Sequence, residues 1–183
     1  MKSGVIPKHD MGPDPSADLL IRDATPDDAD AIVAILNPII AARLYTVFDE
    51  PFSVEAERDY LTRFPARGIW KVAVSDRDQR LVGFQVMEPY GPYTRGFEHV
   101  GTLGTYVDLE LRRHGIARRL FAATFAAARQ KGYEKAFTFV RADNPAALQA
   151  YLGQGFVVIG MAKRHVRIDG QYVDEVLIEK WLR

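Results

Sequence analysis

The chain has 183 residues, of which 48% are hydrophobic and 26% charged, a composition typical of a globular domain with a substantial core. Its formal net charge is zero at pH 7, so no overall field attracts nucleic acid or an acidic membrane surface. It contains no cysteine, which excludes a disulfide framework, a thiol nucleophile and a zinc–thiolate site; its four histidines lack ligand spacing, so no metal is expected.

The first 17 residues contain three prolines and lack the apolar segment of a signal peptide. We therefore expect a disordered N-terminal lead-in over residues 1–17. No later apolar run approaches the length of a membrane span. The sequence thus predicts a single domain over residues 18–183, no membrane association and a cytoplasmic location.

Hydrophobic periodicity predicts two helices and three strands in the first half of this domain. In chain order these are a strand at 19–22, a helix after the Thr25-Pro26 cap, a loop at 44–52, a helix from Ser53 to about Phe64, and hairpin strands at 70–74 and 81–87. Adjacent strands joined by a short polar turn favour an antiparallel start to the sheet.

The second half begins with a loop and contains a strand–helix–strand unit. In chain order the elements are a loop at 88–96, a strand at 99–107, a helix from Gly115 to about Lys131, a strand at 136–140, a helix from Asn144 to about Gln154, and a closing hairpin at Asp169-Gly170. Antiparallel hairpins around one such unit predict an α+β fold with a mixed sheet between helical layers.

The most informative segment is the basic turn between the strand at 99–107 and the helix that follows it. Arg112, Arg113 and Arg118 supply positive charge there, with Arg119 next along the chain, and Gly115 allows close backbone approach. The first amides of a helix have no intrahelical partner and carry partial positive charge. This turn is therefore predicted to bind an anion, and specifically a phosphate group.

Two motifs narrow the choice of phosphate ligand. The sequence lacks the G-x-x-x-x-G-K-[ST] loop, and no G-x-G-x-x-G follows the first strand. The pattern Arg112-x-x-Gly115-x-Ala117 resembles instead the Q/R-x-x-G-x-G/A pyrophosphate loop of the GNAT N-acetyltransferase superfamily. The segment from Asn144 to Phe156 is similar to the N-x-x-A-x-x-x-Y-x-x-x-G-F signature of the same superfamily, with Tyr151 at its tyrosine.

The resemblance implies a three-layer α/β/α GNAT-type fold with a mixed, largely antiparallel central sheet, and acetyl-CoA as cosubstrate without a metal. Three further features are similar to the phosphinothricin-acetyltransferase-like branch: the opening Ile21 to Thr25, the Thr46-x-x-x-Glu50-Pro51 loop, and Tyr106-Val107 before the basic turn. The implied cofactor-binding residues are Thr105, Tyr106, Val107, Arg112, Arg113, His114, Gly115, Ile116, Ala117, Arg118, Asn144 and Tyr151. Asn144 is also a good helix N-cap, and both roles are compatible.

The implied reaction is direct attack of an amine on the thioester, with Tyr151 protonating the departing thiolate. The general base is less clear. Many relatives carry a glutamate on the central strand, and the corresponding positions are occupied here by Gly101, Thr102 and Gly104, none of which can act as a base. His99 has a suitable intrinsic pKa, and Glu98 is the second candidate; Glu88 ends the preceding strand, and a water relay is the remaining alternative.

The resemblance implies a small amino-acid-like amine as acceptor. We expect its pocket to be bordered by the 44–52 loop, the 88–97 loop and the closing hairpin, with aromatic area from Tyr45, Phe48, Tyr90, Tyr93 and Phe97. Arg43 or Arg95 is a candidate partner for a substrate carboxylate.

Two other functions stay open at this point: a binding module that keeps the acetyl-CoA site without chemistry, and an enzyme that acetylates proteins or peptides. Nucleic-acid binding is disfavoured, because no basic stripe extends beyond one turn. The closing strands, around 166–168 and 173–178, are candidates for pairing across a homodimer.

Overall fold

Seven strands form one sheet in a computed structural model that describes residues 19–183; the predicted lead-in lies outside the described residues. The spatial order is β1-β2-β3-β4-β5-β7-β6, and every neighbouring pair is antiparallel except β4 and β5. The bounds are β1 Leu19–Asp23, β2 Ile69–Ser75, β3 Leu81–Pro89, β4 Val100–Val107, β5 Lys135–Arg141, β6 Val157–Ile168 and β7 Gln171–Trp181.

Helices cover both faces of the sheet, which confirms the predicted three-layer α/β/α arrangement. Their bounds are α1 Ala29–Ala41, α2 Val54–Thr62, α3 Ile116–Gln130 and α4 Pro145–Leu152. On one face, α1 and α2 pack on β2 and β3 around Leu36, Trp70 and Phe84. On the other face, α3 and α4 bring Phe121 and Tyr151 against the apolar side chains of β3, β4 and β5.

The register of β3 and β4 assigns different chemistry to the two faces. Strand residues alternate between faces, so Glu88 and its partner Thr102 lie on the same face as Phe84, under α1 and α2. Gln85 and its partner Thr105 lie on the opposite face, under α3 and α4. Polar side chains therefore lie on both faces of the sheet near the middle of β4.

A gap opens between the two parallel strands. β4 pairs with β5 only at Val100, Gly101 and Thr102, after which the two strands separate. Thr138 Oγ1 bridges the start of the gap by donating to the Leu103 carbonyl at 2.6 Å. Within residues 19–183, no strand pairs with the stretch 104–107 on its β5 side, so backbone groups of β4 face the gap.

Most predicted elements are present, with shifted ends. β3 continues to Pro89 rather than ending at Met87, because Glu88 and Pro89 still pair with β4. α4 ends at Leu152 rather than near Gln154, and a 3₁₀ turn at Leu109–Leu111 lies within the basic turn. The closing hairpin has strands of 12 and 11 residues, longer than the segments expected from the sequence. Its tip, Asp169 (φ 49°) and Gly170 (φ 79°), has the two positive φ angles of the expected type I′ turn.

Among the residues of the turn that leads into α1, Asp28 is expected to contribute most to the stability of the fold. Its carboxylate accepts two hydrogen bonds of 2.7 Å from Arg22 and one of 2.8 Å from the Thr25 amide. We expect Asp28→Asn to lower the free energy of unfolding at pH 7 by about 1–2 kcal/mol, since the ion pair and part of the cap are lost. Asp30→Asn, in the exposed first turn of α1, is the control and is expected to cost less than about 0.5 kcal/mol.

The same pair predicts a pH dependence of stability. Hydrogen bonds from Arg22 hold the pKa of Asp28 below its usual value. A carboxyl with a depressed folded-state pKa stabilises the fold above its unfolded pKa, about 3.9, and this contribution is lost as the pH falls through the folded-state value. Urea unfolding from pH 7 to pH 2 is therefore expected to show a difference between wild type and Asp28→Asn that shrinks below about pH 4. A constant difference across that range would contradict the assignment.

Candidate active site

The basic turn places an uncapped helix N-terminus at the end of β4. Gly115 is the N-cap of the 15-residue helix α3 and has φ 74°, a left-handed conformation that glycine adopts without strain. Within residues 19–183 no side chain caps the amides of the first turn, and that turn contains no acidic residue. Arg113, two positions earlier, also has a positive φ of 67°. This geometry leaves the amides of Ile116, Ala117 and Arg118 available to an anion, as predicted.

Among the described residues, no contact directs three of the four arginines of the basic turn, Arg112, Arg113 and Arg118, away from the N-terminal end of α3. Arg113 and Arg118 are exposed, and the Arg112 guanidinium lies 3.8 Å from the centre of the Tyr45 ring, so it is half-buried against the 44–52 loop. Arg119 is different: its Nη2 donates to the Leu19 carbonyl at 2.7 Å. The expectation that Arg119 adds to the local charge is wrong, because its place on α3 directs its guanidinium to the first strand.

His114 provides an unsatisfied polar atom in the same turn. Its Nδ1 is buried and has no hydrogen-bond partner among the described residues. A buried polar atom without a partner costs free energy unless a ligand or water satisfies it. This orphaned atom fits a ligand-binding role for the turn.

Tyr151 lies beside the gap, on the α3 and α4 face. Its hydroxyl donates to Thr105 Oγ1 at 3.2 Å, and its ring makes edge contacts with Phe121 and Phe156 at 5.2 Å. Burial raises the pKa of Tyr151 to about 12. The hydroxyl is therefore protonated at neutral pH and oriented toward the open edge of β4.

Gln85 is a polar residue in this cluster that the sequence analysis missed. It is fully buried, and its amide donates to Thr105 Oγ1 at 2.7 Å, so Thr105 accepts from both Gln85 and Tyr151. Its own Oε1 has no partner in the described part of the chain. A glutamine within the otherwise apolar run from Leu81 to Met87 was the signal available in the sequence.

Asn144 caps α4 as its sequence predicts. Its Oδ1 accepts from the Ala147 amide at 3.1 Å, and the residue is buried. The neighbouring Arg141 is buried as well; it is paired with Asp143 and donates to the Thr46 carbonyl at 3.0 Å. Arg141 thereby ties the 44–52 loop to the end of β5, next to the gap.

A cavity of about 430 Å³ opens on the opposite face of β4, under α1 and α2. Its walls combine aromatic rings, two carboxylates and the backbone at the start of the gap. They consist of Leu36, Phe48, Phe52, Glu57, Tyr60, Trp70, Phe84, Val86, Glu88, Thr102, Leu103, Gly104 and Tyr106. The Trp70 indole nitrogen is buried and has no acceptor within residues 19–183.

The two carboxylates belong to Glu57 on α2 and Glu88 on β3. Glu57 is only 4% exposed, and none of the described residues forms a hydrogen bond or ion pair with its side chain. Burial raises the pKa of Glu57 above its ordinary value. Tyr60 interacts with both acids. The pKa of its hydroxyl is raised, chiefly by burial and in addition by its hydrogen bond to Glu88. The cavity is thus acidic as well as aromatic.

The structure does not bring the candidate bases Glu98 and His99 to this cavity. Glu98 is exposed and paired with Arg95, and His99 precedes β4. His99 lies six positions before Thr105, on the order of 20 Å along an extended strand. Neither residue lies near the Tyr151 hydroxyl or in the cavity wall.

The cavity shares only some of the borders that the sequence predicts for the acceptor pocket. Phe48 of the 44–52 loop is in the wall, but Tyr90, Tyr93 and Phe97 line a separate surface cleft, and the wall contains no residue of the closing hairpin. The reason is that β3 continues through Glu88 and Pro89, which leaves α2 rather than the following loop to close the cavity.

A sequence model of the acetyltransferase (GNAT) family matches residues 39–156, more than half of the chain. The chain belongs to the acetyltransferase (GNAT) family. Like other members, it is an acetyl-CoA-dependent N-acetyltransferase. The match includes α3 with its basic turn, Asn144, Tyr151 and most of the cavity wall, and the resemblance inferred from the two motifs is confirmed.

Individual relatives agree with this assignment. The chain is 24% identical over 157 residues (85% of this chain, 94% of the relative) to "Putative phosphinothricin acetyltransferase YwnH" of Bacillus subtilis (strain 168). Its fold matches a GNAT superfamily phosphinothricin acetyltransferase from Sinorhizobium meliloti in complex with AcCoA (TM-score 0.81, 16% identity, 90% of this chain and 88% of that one). It also matches ribosomal-protein-alanine N-acetyltransferase from Brucella melitensis (TM-score 0.79, 28% identity, 88% and 99%).

Two features of residues 19–183 bear on other functions. No group of three or more histidine, aspartate or glutamate side chains there is arranged to hold a metal ion. None of the helices in this part of the chain has the length and apolar character needed to cross a membrane.

Proposed function

We propose that the enzyme transfers acetyl from acetyl-CoA to the primary amine of a small molecule by direct attack. One observation carries this proposal: the gap beside β4 has the Tyr151 hydroxyl on one face and an acidic, aromatic cavity on the other. A thioester lying in the gap would have a proton donor on its sulfur side and an acceptor amine on its carbonyl side.

Acetyl-CoA is a substrate here, and the residues around the gap fit its parts. The diphosphate would contact the amides of residues 113–118, with positive charge from Arg112, Arg113 and Arg118 and a polar partner in His114. The pantetheine arm would pair with the free backbone edge of Thr105, Tyr106 and Val107. Asn144, at the start of α4, would lie beside the arm while it caps the helix.

The transfer step balances without another reactant. The amine nitrogen attacks the thioester carbonyl carbon, an N–C bond forms, and the C–S bond breaks. One proton leaves the nitrogen of the neutral amine and one is gained by the sulfur, which gives an amide and the free thiol of coenzyme A. An acceptor that binds as an ammonium gives up one further proton, to a base in the cavity, before it attacks. Binding both substrates at the gap replaces a bimolecular encounter by an oriented contact.

Tyr151 would act on the departing sulfur chiefly as a hydrogen-bond donor. Its pKa of about 12 compares with about 8.5 for a thiol, so complete transfer of its proton to the thiolate is uphill by about 5 kcal/mol. A hydrogen bond to the developing negative charge lowers the barrier without that cost. Gln85 and Thr105 hold the hydroxyl at the edge of the gap.

Glu88, rather than His99 or Glu98, would accept the proton from the amine. It lies in the cavity wall directly across from Thr102, where β4 begins to separate from β5. Thr102 is one of the positions at which the resemblance led us to expect a glutamate. The carboxylate thus sits on the neighbouring strand at the same level of the sheet.

Acetylation of a protein or peptide is a second candidate, because one structural match is named for a ribosomal-protein-alanine substrate. The cavity is a pocket of about 430 Å³ walled by α2 and the 44–52 loop, which favours a small acceptor. An amino acid or analogue, as the resemblance implies, is one member of that class.

A homodimer and a cytoplasmic location stay predictions from the sequence. One feature supports self-association: β6 is an edge strand, and Val157, Val158, Ile159 and Met161 are each about half exposed on it. Light scattering after gel filtration is expected to give a mass near 41 kDa, twice the 20.6 kDa of one chain.

The proposed function is tested by release of coenzyme A thiol from acetyl-CoA in the presence of separate panels of amines, amino acids and peptides. We expect amine-dependent release with small acceptors, and an acetylated amine as the product by mass spectrometry. Release only with peptides would favour the second candidate. No release with any acceptor, in a folded protein, would contradict the proposal.

A further inference from the structure

We propose that the acceptor is an amine cation with an apolar body and no carboxylate, such as an arylalkylamine or an alkyl diamine, rather than an α-amino acid. The inference rests on the proposed function, because it concerns the acceptor cavity of that reaction. It follows from the charges and rings that line this cavity and departs from the acceptor class that the family resemblance implies.

The charges of the cavity wall have one sign. Glu57 and Glu88 are its ionisable acids, and no arginine, lysine or histidine is present among the described residues that line it. A carboxylate entering the cavity would meet two like charges in a partly desolvated site, whereas an ammonium group would meet two opposite ones. The wall therefore selects a cation.

The arginines expected to receive a substrate carboxylate are engaged elsewhere. Arg43 pairs with Asp169 at 3.2 Å, and Arg95 pairs with Glu98 at 3.1 Å with its side chain 91% exposed. Neither belongs to the cavity wall. Arg112 stacks on Tyr45 beside the basic turn, and Arg141 is paired with Asp143 and donates to the Thr46 carbonyl, so neither guanidinium faces the cavity wall.

The rest of the wall suits an apolar body. Aromatic rings follow one another around it: Tyr60 and Trp70 are 5.5 Å apart between centres, Phe84 and Tyr106 4.9 Å, and Phe48 and Phe52 5.2 Å. Trp70 and Phe84, at 6.2 Å, join the first two pairs. Aromatic faces attract ammonium groups and pack against aromatic or aliphatic chains.

Glu57 shows that the acidity serves binding rather than folding. Its side chain is only 4% exposed, forms no hydrogen bond or ion pair with residues 19–183, and lines the cavity. A buried carboxylate without a partner destabilises a fold. A ligand cation that pairs with Glu57 would offset this cost, and an ammonium group supplies that charge.

Matched substrates that differ only by the α-carboxylate test the proposal. Thiol-release kinetics would compare tyramine with L-tyrosine, phenethylamine with L-phenylalanine, and cadaverine with L-lysine. We expect kcat/KM to favour the amine of at least one aromatic or aliphatic pair by about 100-fold. Equal or better use of the amino acids in every pair would overturn the proposal while leaving acetyl transfer to amines intact.

The variant Glu57→Gln separates a role of Glu57 in binding from a role in folding. Glu55→Gln, on the same helix, is the control. We expect Glu57→Gln to raise KM for the preferred amine about tenfold, to change kcat less than threefold, and to raise the thermal midpoint. Glu55 is exposed and outside the cavity wall, so its variant is expected to leave all three unchanged. A lower thermal midpoint with unchanged KM in Glu57→Gln would assign Glu57 a structural role and overturn the argument.

Calorimetric titration of the coenzyme A-saturated protein makes the acceptor class testable without turnover. Tyramine or cadaverine is expected to give a binding heat that L-tyrosine and L-lysine do not. If no amine is acetylated, the proposed function fails, and this titration still decides the acceptor class. Binding of the amino acids alone, or of none of the probes, would overturn the proposal.

Discussion

Replacing Tyr151 by phenylalanine is expected to lower kcat by about 100-fold. The substitution removes the hydroxyl that faces the gap and keeps the ring contacts with Phe121 and Phe156. KM for acetyl-CoA is expected to change less than threefold, because the predicted diphosphate contacts are unaffected. Steady-state thiol release at saturating acetyl-CoA measures both parameters.

Tyr133→Phe is the matched control. Tyr133 is also a buried tyrosine, and its hydroxyl donates to the Arg67 carbonyl at 3.1 Å, away from the gap. We expect this variant to lose about 1 kcal/mol of stability and to keep its kcat. Full activity in Tyr151→Phe would remove Tyr151 from the mechanism, and an equal loss in Tyr133→Phe would make the effect structural.

Glu88→Gln is expected to lower kcat/KM at pH 7 by about 10²–10³-fold. An alkyl ammonium of pKa about 10.4 is neutral in only about one of 10³ molecules at pH 7, so a proton acceptor near the nitrogen has a large effect. The deficit is expected to shrink as the pH approaches 10, where the free amine predominates. A pH–rate profile from pH 6 to pH 10 with a fixed acceptor measures this change.

Glu98→Gln and His99→Ala complete the comparison, since the sequence alone favoured these residues as bases. Both residues lie away from the cavity. We therefore expect each variant to have a kcat/KM within threefold of the wild-type value and an unchanged acidic limb of the pH–rate profile. If His99→Ala lost the acidic limb of its pH–rate profile and Glu88→Gln had normal activity, His99 rather than Glu88 would be the base.

The basic turn and the free helix N-terminus that follows it were predictable from the sequence, because their signals are local. Gly115, the arginines around it and the first turn of α3 lie within one short segment, and the helix end follows from that segment alone. The path of Arg119 was not predictable in this way. Its partner is the Leu19 carbonyl, 100 positions away in sequence, which only the packing of α3 against β1 brings near.

The cavity under α1 and α2 was not predictable from the sequence, because five elements and a loop form its wall. Glu57 occupies a polar, charged helix whose sequence is typical of a solvent-exposed element, and only the docking of α2 over β3 buries it. The position of Glu88 opposite Thr102 depends on the register of β3 with β4, which extends two residues beyond the predicted strand. The ion pairs that engage Arg43 and Arg95 are likewise contacts of the folded chain.

In the proposed mechanism the first turn of α3 binds the diphosphate of acetyl-CoA, and calorimetric titration with coenzyme A tests this contact directly. We expect saturable binding to wild type, and about 30–100-fold weaker binding to Arg118→Glu, which reverses a charge in the first turn of α3. Arg58→Glu, an equal charge change on the exposed side of α2, is expected to bind like wild type. Absence of a binding heat in wild type, or equal affinity in wild type and Arg118→Glu, would contradict the account.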